Sequence, residues 1–177
     1  QEVLYALRLV QLNRDLIKEA AATNGIDPVM LAAVVFAEQF DFVRLLFLPE
    51  DITDRLAGYA GLNTSVGLAQ IRTETFRKMY EGVAWDEFDG AKTEDLWNYQ
   101  VVRLLENPEV NINAAARYLK QLTLEFDSFD PDFALRVFSS YTGKVEDIKG
   151  KPVLTIPLDI MNEDIVRLDD YSYGYWA

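Results

Sequence analysis

A long apolar segment in the first third of the chain constrains the fold more than any other feature. Residues 28–46 are apolar over so much of a helical circumference that they predict a helix buried on nearly all sides. Asp27 can cap the first turn of this helix, and Pro28 suits its first position, so the start is well marked. Because such a helix must be covered, we expect the other elements to pack around it.

The rest of the chain predicts further helices and almost no strands. Apolar residues recur at three- and four-residue steps, which is the helical period, and Gly, Asn and Pro separate the periodic stretches. A loop is predicted over residues 82–92, with Trp85 and Phe88 packed inward. The further predicted helices are residues 2–23, 49–57, 73–80, 93–105, 109–126 and 133–141. The pattern therefore predicts an all-α domain with a central buried helix.

The domain organisation is predicted to be simple. A length of 177 residues suits one domain with a sizeable core, and no repeat or linker divides the sequence. After residue 150 the pattern changes, because residues 153–156 have the composition of a strand while Pro152 and Pro157 limit its pairing. We expect residues 1–150 to form the domain and residues 151–177 to form an irregular C-terminal extension packed on it.

Charge and the missing residue types exclude several classes of function. Asp and Glu outnumber Lys and Arg by 29 to 17, a formal net charge of -12, so the surface should repel nucleic acid. With no cysteine and no histidine, the chain lacks thiolate nucleophiles, imidazole bases and the usual zinc ligands. Carboxylates remain as the acid–base groups, and we expect no metal or other cofactor.

Membrane insertion is not expected either. No stretch reaches the roughly 18 consecutive apolar residues that a membrane span requires. The sequence opens at Gln1 without a signal-peptide pattern, which predicts a processed or trimmed form. We expect a monomer.

Glu38 is the carboxylate that the pattern singles out. It lies about three turns into the central helix, and Val34, Val35 and Phe42 lie at helical spacings from it. Apolar surroundings disfavour the charged form, raise the pKa of a carboxyl group and make it a plausible proton donor near neutral pH. Taken alone, the same position also suits a partly buried carboxylate held by a neighbouring Arg or Tyr.

Four short segments in chain order give a more specific indication. They are Ile26-Asp27-Pro28 followed by Glu38, the run Ser65-Val66-Gly67-Leu68-Ala69-Gln70-Ile71, Asn111-Ile112 with Tyr118-Leu119, and Tyr141-Thr142-Gly143. In this order they resemble the lysozyme-like domain of the soluble lytic transglycosylases and goose-type lysozymes. The resemblance spans roughly residues 16–148 and implies a lysozyme-like helical fold.

The resemblance implies an enzyme that cleaves peptidoglycan glycan strands at the β-1,4 bond between N-acetylmuramic acid and N-acetylglucosamine. Glu38 would act first as the general acid and then as the base. If the muramoyl 6-hydroxyl is the nucleophile, the enzyme is a lytic transglycosylase that forms a 1,6-anhydro sugar, and we favour this prediction. If water is the nucleophile, the enzyme is a lysozyme. Either activity implies an extracytoplasmic location and needs no cofactor.

Substrate contacts are implied by the same resemblance. The implied substrate-binding residues are Ser65, Gly67, Leu68, Gln70, Asn111, Tyr118 and Tyr141. The last of these is also expected to hydrogen-bond Glu38. Plain structural roles compete at each position, such as a turn for Gly67, a helix cap for Asn111 and core packing for Tyr118.

A second carboxylate would distinguish a conventional glycosidase. Such an enzyme needs it roughly 5 to 9.5 Å from the first. The candidates nearest in sequence are Asp41, Glu50, Asp51 and Asp54. Nothing in the sequence ranks them, and the insertion that contains them is longer than usual for the resembling family.

Three departures from the pattern leave a further alternative open. Gln39 follows the glutamate where serine is usual, Ala69 replaces a methionine, and Thr142 replaces an asparagine. These changes suit an inactive glycan-binding or structural module of the same fold. A less favoured alternative is an unrelated helical interaction domain, in which Glu38, Gln70 and Tyr141 would not converge on one groove.

Overall fold

The structure is a computed structural model that describes residues 2–45 and 65–126 together with Val137, Ser140 and Tyr141. The described part is mostly helical and confirms the predicted all-α class. Its helices are α1 Glu2–Leu12, α2 Arg14–Asn24, α3 Pro28–Leu45, α4 Thr73–Met79, α5 Asn98–Glu106 and α6 Pro108–Glu125. Two short antiparallel hairpins accompany them, β1 Ser65–Val66 with β2 Ile71–Arg72 and β3 Ala84–Trp85 with β4 Ala91–Lys92.

The central helix α3 lies where the sequence predicts it. Asp27 accepts a hydrogen bond from the Val29 backbone at 2.8 Å, which caps the first turn as expected. All residues from 31 to 36 are buried, and α1, α2 and α6 pack against the helix. The fully buried Ile112 and Leu119 on α6 belong to the same core. This packing fixes the position of Glu38 two residues beyond the buried run.

Residues 2–23 form two helices rather than the single predicted helix. The break is at Asn13, whose backbone angles of φ -106 and ψ 12 leave the helical region. Its side-chain amide donates to the Leu9 carbonyl at 2.8 Å, a local bond of the kind that competes with the helical ladder. The predicted stop at Gly25 is confirmed, since this residue takes a left-handed conformation with φ 63.

The helix predicted over residues 93–105 begins later, at Asn98. Residues 93–95 form a short 3₁₀ turn, and Leu96 and Trp97 are extended. The guanidinium of Arg77 fixes this stretch by donating to the Thr93 and Leu96 carbonyls at 2.9 and 2.8 Å and to the Asn98 side chain at 2.7 Å. Helical periodicity alone cannot reveal a partly buried arginine that binds the extended backbone.

The remaining predictions have different outcomes. The predicted helices over residues 73–80 and 109–126 are confirmed by α4 and α6 to within one residue at each end. The 82–92 loop contains the β3–β4 hairpin, which was not predicted, and Trp85 and Phe88 pack against the core as expected. Of the predicted 133–141 helix, the three described residues are helical. The 49–57 helix and the 151–177 extension lie outside the described residues.

Candidate active site

A cleft of about 250 Å³ opens beside the second half of α3. It lies between α3, the β1–β2 hairpin, the start of α4, α6 and the helical residues 140 and 141. The residues that line it are Glu38, Ser65, Gln70, Ile71, Arg72, Thr75, Tyr118, Ser140 and Tyr141. The structure therefore brings Glu38 together with four residues implied by the resemblance, and adds four that sequence reasoning missed. The missed residues are Ile71, Arg72, Thr75 and Ser140.

The β1–β2 hairpin explains why Ser65 and Arg72 reach the cleft from the same side. Ser65 pairs with Arg72, and Val66 pairs with Ile71. Because successive strand residues face opposite sides, Ser65 and Arg72 share the exposed face while Val66 and Ile71 pack on the core. The hairpin register alone would have indicated Arg72 as a cleft residue, but a two-residue strand is too short to recognise in a sequence.

The turn between the two strands, residues 67–70, is held by side chains from several elements. Asn111 of α6 is fully buried, and its amide donates to the Val66 and Leu105 carbonyls at 2.8 and 3.0 Å. Its side-chain oxygen accepts the Ala69 backbone N–H at 2.8 Å. Asn111 was expected to contact substrate or to cap the helix, but α6 is capped by Asn107. In this structure Asn111 lies behind the turn and positions it.

Gly67 approaches Asn111 too closely to carry a side chain. A Cβ built on Gly67 would overlap the Asn111 amide and the Leu105 carbonyl, and the backbone there has φ 82. Neither Gly67 nor its neighbour Leu68 lines the described cleft. The carbonyls of both residues face the protein, where side-chain amides bind them. We therefore assign both residues to the shape of the turn.

Gln39 holds the same turn from the other side. It is buried, and its amide donates to the Leu68 carbonyl at 2.8 Å, with a longer contact of 3.5 Å to the Gly67 carbonyl. The departure from the usual serine therefore has a structural explanation. The residue next to Glu38 on α3 therefore ties the helix to the turn that carries the cleft residue Gln70.

Replacing Gln39 tests this tie. We expect Gln39→Ala to lower the free energy of unfolding by about 1 to 3 kcal/mol, because the Leu68 carbonyl loses its buried partner. The exposed Gln121→Ala on α6 is the matched control and should change it by less than about 0.5 kcal/mol. Urea denaturation followed by circular dichroism measures both. Equal stability of the two variants would contradict the tie.

Gln70 and Tyr141 reach the cleft but also bind the turn. Gln70 has φ 46, and its side-chain nitrogen donates to the Gly67 carbonyl at 2.8 Å. The Tyr141 hydroxyl donates its single hydrogen to the Ala69 carbonyl at 2.8 Å. The resemblance had implied a hydrogen bond to Glu38 instead. Burial raises the pKa of Tyr141 well above its usual value, and the negative charge of Glu38 raises it further. The phenol is therefore neutral beside Glu38.

Tyr141→Phe tests both the hydrogen bond to the Ala69 carbonyl and the raised pKa of Tyr141. At neutral pH we expect a loss of about 1 kcal/mol in the free energy of unfolding, because the Ala69 carbonyl loses its donor. The pKa of Tyr141 is higher in the folded than in the unfolded chain. The stability that this raised pKa contributes to the folded state is therefore fully present below pH ~10, and it is lost as the pH rises toward the folded-state pKa. Unfolding measured between neutral and alkaline pH should show a shallower decline for Tyr141→Phe, while the exposed Tyr99→Phe should follow the wild type.

Tyr118 of α6 forms the wall next to Tyr141. The two ring centroids are 5.3 Å apart, and the rings are tilted by 47°. Burial raises the pKa of Tyr118, as does the charge of Glu125, while Arg72 lowers it. Tyr118 thus combines core packing, one of its two predicted roles, with a place in the cleft.

The side chains of all four candidate second carboxylates lie outside the described part of the structure. Asp41 lies on α3, but its side chain is not described, and Glu50, Asp51 and Asp54 lie outside the described residues. Within the described ranges, no three Asp or Glu side chains cluster in a way that would hold a metal ion. None of the helices described is long and apolar enough to cross a membrane.

Comparison with known families identifies the relatives of this cleft-bearing domain. Residues 5–123, about two thirds of the chain, match the model for "T6SS, Peptidoglycan muramidase Tse3, catalytic domain". The chain belongs to this Tse3 catalytic-domain family. The match includes Glu38, the β1–β2 hairpin and Tyr118, whereas Tyr141 lies beyond it. No curated protein and no solved structure matches the chain.

Membership of the Tse3 catalytic-domain family supports the coarser part of the predicted function. It supports a lysozyme-like domain of a peptidoglycan-acting enzyme family. The family is named for a muramidase, so the match does not support the narrower prediction of a lytic transglycosylase and favours the hydrolytic alternative.

Proposed function

We propose that this domain is a peptidoglycan muramidase. It hydrolyses the β-1,4 bond between N-acetylmuramic acid and N-acetylglucosamine, with Glu38 as the general acid. The observation that carries the proposal is the convergence of Glu38, Gln70, Tyr118 and Tyr141 on one cleft. Membership of a family named for a peptidoglycan muramidase supports the choice of substrate. The site of action is then the cell wall, outside the cytoplasm.

The position of Glu38 suits proton transfer. Its side chain is partly buried at the cleft wall, next to the neutral phenol of Tyr141. In the first step Glu38 donates its proton to the glycosidic oxygen, the bond from that oxygen to the muramoyl anomeric carbon breaks, and positive charge develops on the sugar. Water then adds to the anomeric carbon and gives its proton to a carboxylate. Each turnover consumes one water and restores the protonation state of the enzyme.

The base in the second step is either Glu38 or a second carboxylate. Asp41, Glu50, Asp51 and Asp54 stay the candidates for that second group, at a distance from Glu38 that would set the stereochemical course. Ser65, Gln70 and Tyr118 offer polar groups along the cleft wall for the sugar hydroxyls and acetamido groups. Gly67, Leu68 and Asn111 contribute by fixing the shape of the turn.

A lytic transglycosylase is the second candidate function. One observation favours it: among the described residues that line the cleft, Glu38 is the carboxylate, and a single acid is sufficient for that reaction. In that case the muramoyl 6-hydroxyl replaces water as the nucleophile, and the product carries a 1,6-anhydro ring without a reducing end.

Counting reducing ends tests the proposed function. Purified domain incubated with peptidoglycan should release soluble fragments and generate one new reducing end for each bond cleaved. Release of soluble fragments without new reducing ends would overturn hydrolysis in favour of the transglycosylase. Binding of glycan with no release would overturn catalysis and favour the inactive module.

A further inference from the structure

Arg72 is a cleft residue to which the proposed chemistry assigns no role. It pairs with Ser65 across the β1–β2 hairpin, and both side chains lie on the exposed face. Among the described lining residues Arg72 is the cation, in a chain whose formal net charge is -12. Proton transfer by Glu38 does not require a positive charge here. A neutral sugar does not require one either.

Arg72 and Tyr118 line the same cleft. Burial raises the pKa of Tyr118, and the positive charge of Arg72 acts in the opposite direction and lowers it. The ion pairs between described residues are Arg14–Asp15 and Arg103–Glu87, and Arg72 takes part in neither. The charge of Arg72 is therefore presented to the cleft and not to a described carboxylate of the protein.

Arg77, five residues further on, shows what a structural arginine looks like in this fold. Its guanidinium donates to two backbone carbonyls and one side-chain oxygen, all at 2.7–2.9 Å. Arg72 has no comparable set of partners among the described residues, and its side chain is exposed. Arg77 therefore stabilises the fold, whereas the guanidinium of Arg72 is available to a ligand.

We propose that Arg72 binds a carboxylate of the substrate, so that the cleft prefers glycan strands with acidic muramoyl substituents over neutral ones. The guanidinium is planar and matches a carboxylate in a bidentate pair, which is stronger and more directional than a contact with a hydroxyl. The inference rests on the proposed function, because it concerns the same cleft.

Two sources can supply this carboxylate. One is the lactyl group of muramic acid, which is a free carboxylate on strands whose peptides have been removed. The other is a carboxylate of the stem peptide on intact strands, where the lactyl group is an amide. In both cases the acidic group is carried by the muramoyl residue, close to the bond that Glu38 is proposed to cleave.

The test compares Arg72→Gln and Arg72→Lys with wild type on three substrates. These are peptide-bearing glycan, peptide-free glycan, and peptide-free glycan with its lactyl carboxylates converted to amides. We expect Arg72→Gln to raise KM on the preferred carboxylate-bearing substrate by roughly 10-fold or more relative to KM on the amidated one. Arg72→Lys keeps the charge but not the bidentate geometry. Its KM ratio should therefore lie between those of the wild type and Arg72→Gln. A change confined to the peptide-bearing glycan assigns the stem peptide, and one confined to the peptide-free glycan assigns the lactyl group.

Controls separate this inference from the proposed function. Arg8→Gln makes the same charge change on the exposed face of α1 and should leave the KM ratio at the wild-type value. Dissociation constants measured in the Glu38→Gln background give the same comparison without turnover, so they stay interpretable if the domain proves inactive. A KM or dissociation-constant ratio that Arg72→Gln leaves unchanged would overturn the carboxylate contact while leaving glycan cleavage standing.

Discussion

Glu38→Gln is expected to reduce peptidoglycan cleavage by about a thousandfold or more. A positioned general acid contributes roughly 10²- to 10⁴-fold, and no other described carboxylate in the cleft lining can take over its proton transfer. Glutamine keeps the size and shape of the side chain but cannot donate a proton of comparable acidity. The loss should appear in kcat, because the missing interaction forms only as the glycosidic bond breaks.

The control for this variant makes the same chemical change elsewhere. Glu19→Gln, on the exposed face of α2, should retain wild-type activity. Soluble fragments released per minute measure both variants, and thermal unfolding confirms that both are folded. Activity of Glu38→Gln within about tenfold of wild type would remove Glu38 from the role of general acid.

Gly67→Ala is expected to cost about 2 to 5 kcal/mol of folding free energy. The new methyl group would overlap the Asn111 amide and the Leu105 carbonyl, both of which are fixed by hydrogen bonds inside the protein. Overpacking of this kind costs roughly 1 to 3 kcal/mol. A left-handed backbone adds roughly 1 to 2 kcal/mol for any residue with a Cβ, and φ at Gly67 is 82. Displacing the turn also moves Ser65 and Gln70, so activity should fall in the molecules that remain folded.

Two other glycines provide a matched control for Gly67→Ala. Gly82 and Gly90 have similar φ values of 79 and 76, and no atom lies within 4 Å of a Cβ built on either of them. Alanine at these positions carries the same backbone strain and the same change in the unfolded chain, without the overlap. We expect each to cost about 1 kcal/mol. If urea denaturation finds all three variants equally destabilised, the close contact with Asn111 does not matter for stability.

Long periodic elements could be predicted from the sequence because their packing repeats along the chain. The starts of α3 and α6 carry Asp27-Pro28 and Asn107-Pro108, which set their first turns. Errors arose where one side chain overrides the local pattern. Asn13 divides the first helix by binding a carbonyl one turn back, and Arg77 delays α5 by holding an extended stretch. The Arg77 contacts depend on tertiary structure, and the Asn13 contact is a single hydrogen bond. The spacing of apolar residues along the sequence indicates neither of them.

The structure brings five of the predicted site residues to one cleft, and their roles in catalysis and substrate binding stay predictions. The convergence of Glu38, Gln70 and Tyr141 on one cleft agrees with the resemblance and disfavours an unrelated helical domain. Asn111 matches the same pattern, but the structure places it behind the turn with every polar group of its side chain bound to the protein. A sequence shows that an amide lies at the start of a helix, but not whether it faces a ligand or a neighbouring loop. Arg72 was not predicted as a cleft residue, because the strands of the β1–β2 hairpin have only two residues each and cannot be recognised in the sequence.

Cleavage in water enriched in heavy oxygen tests the central claim most directly. If Glu38 drives hydrolysis, mass spectrometry of the fragments should show the heavy isotope at each new muramoyl reducing end, and the Glu38→Gln reaction should show almost none. Fragments that end in a 1,6-anhydro ring and carry no heavy oxygen would contradict the proposal that this cleft is a hydrolytic muramidase.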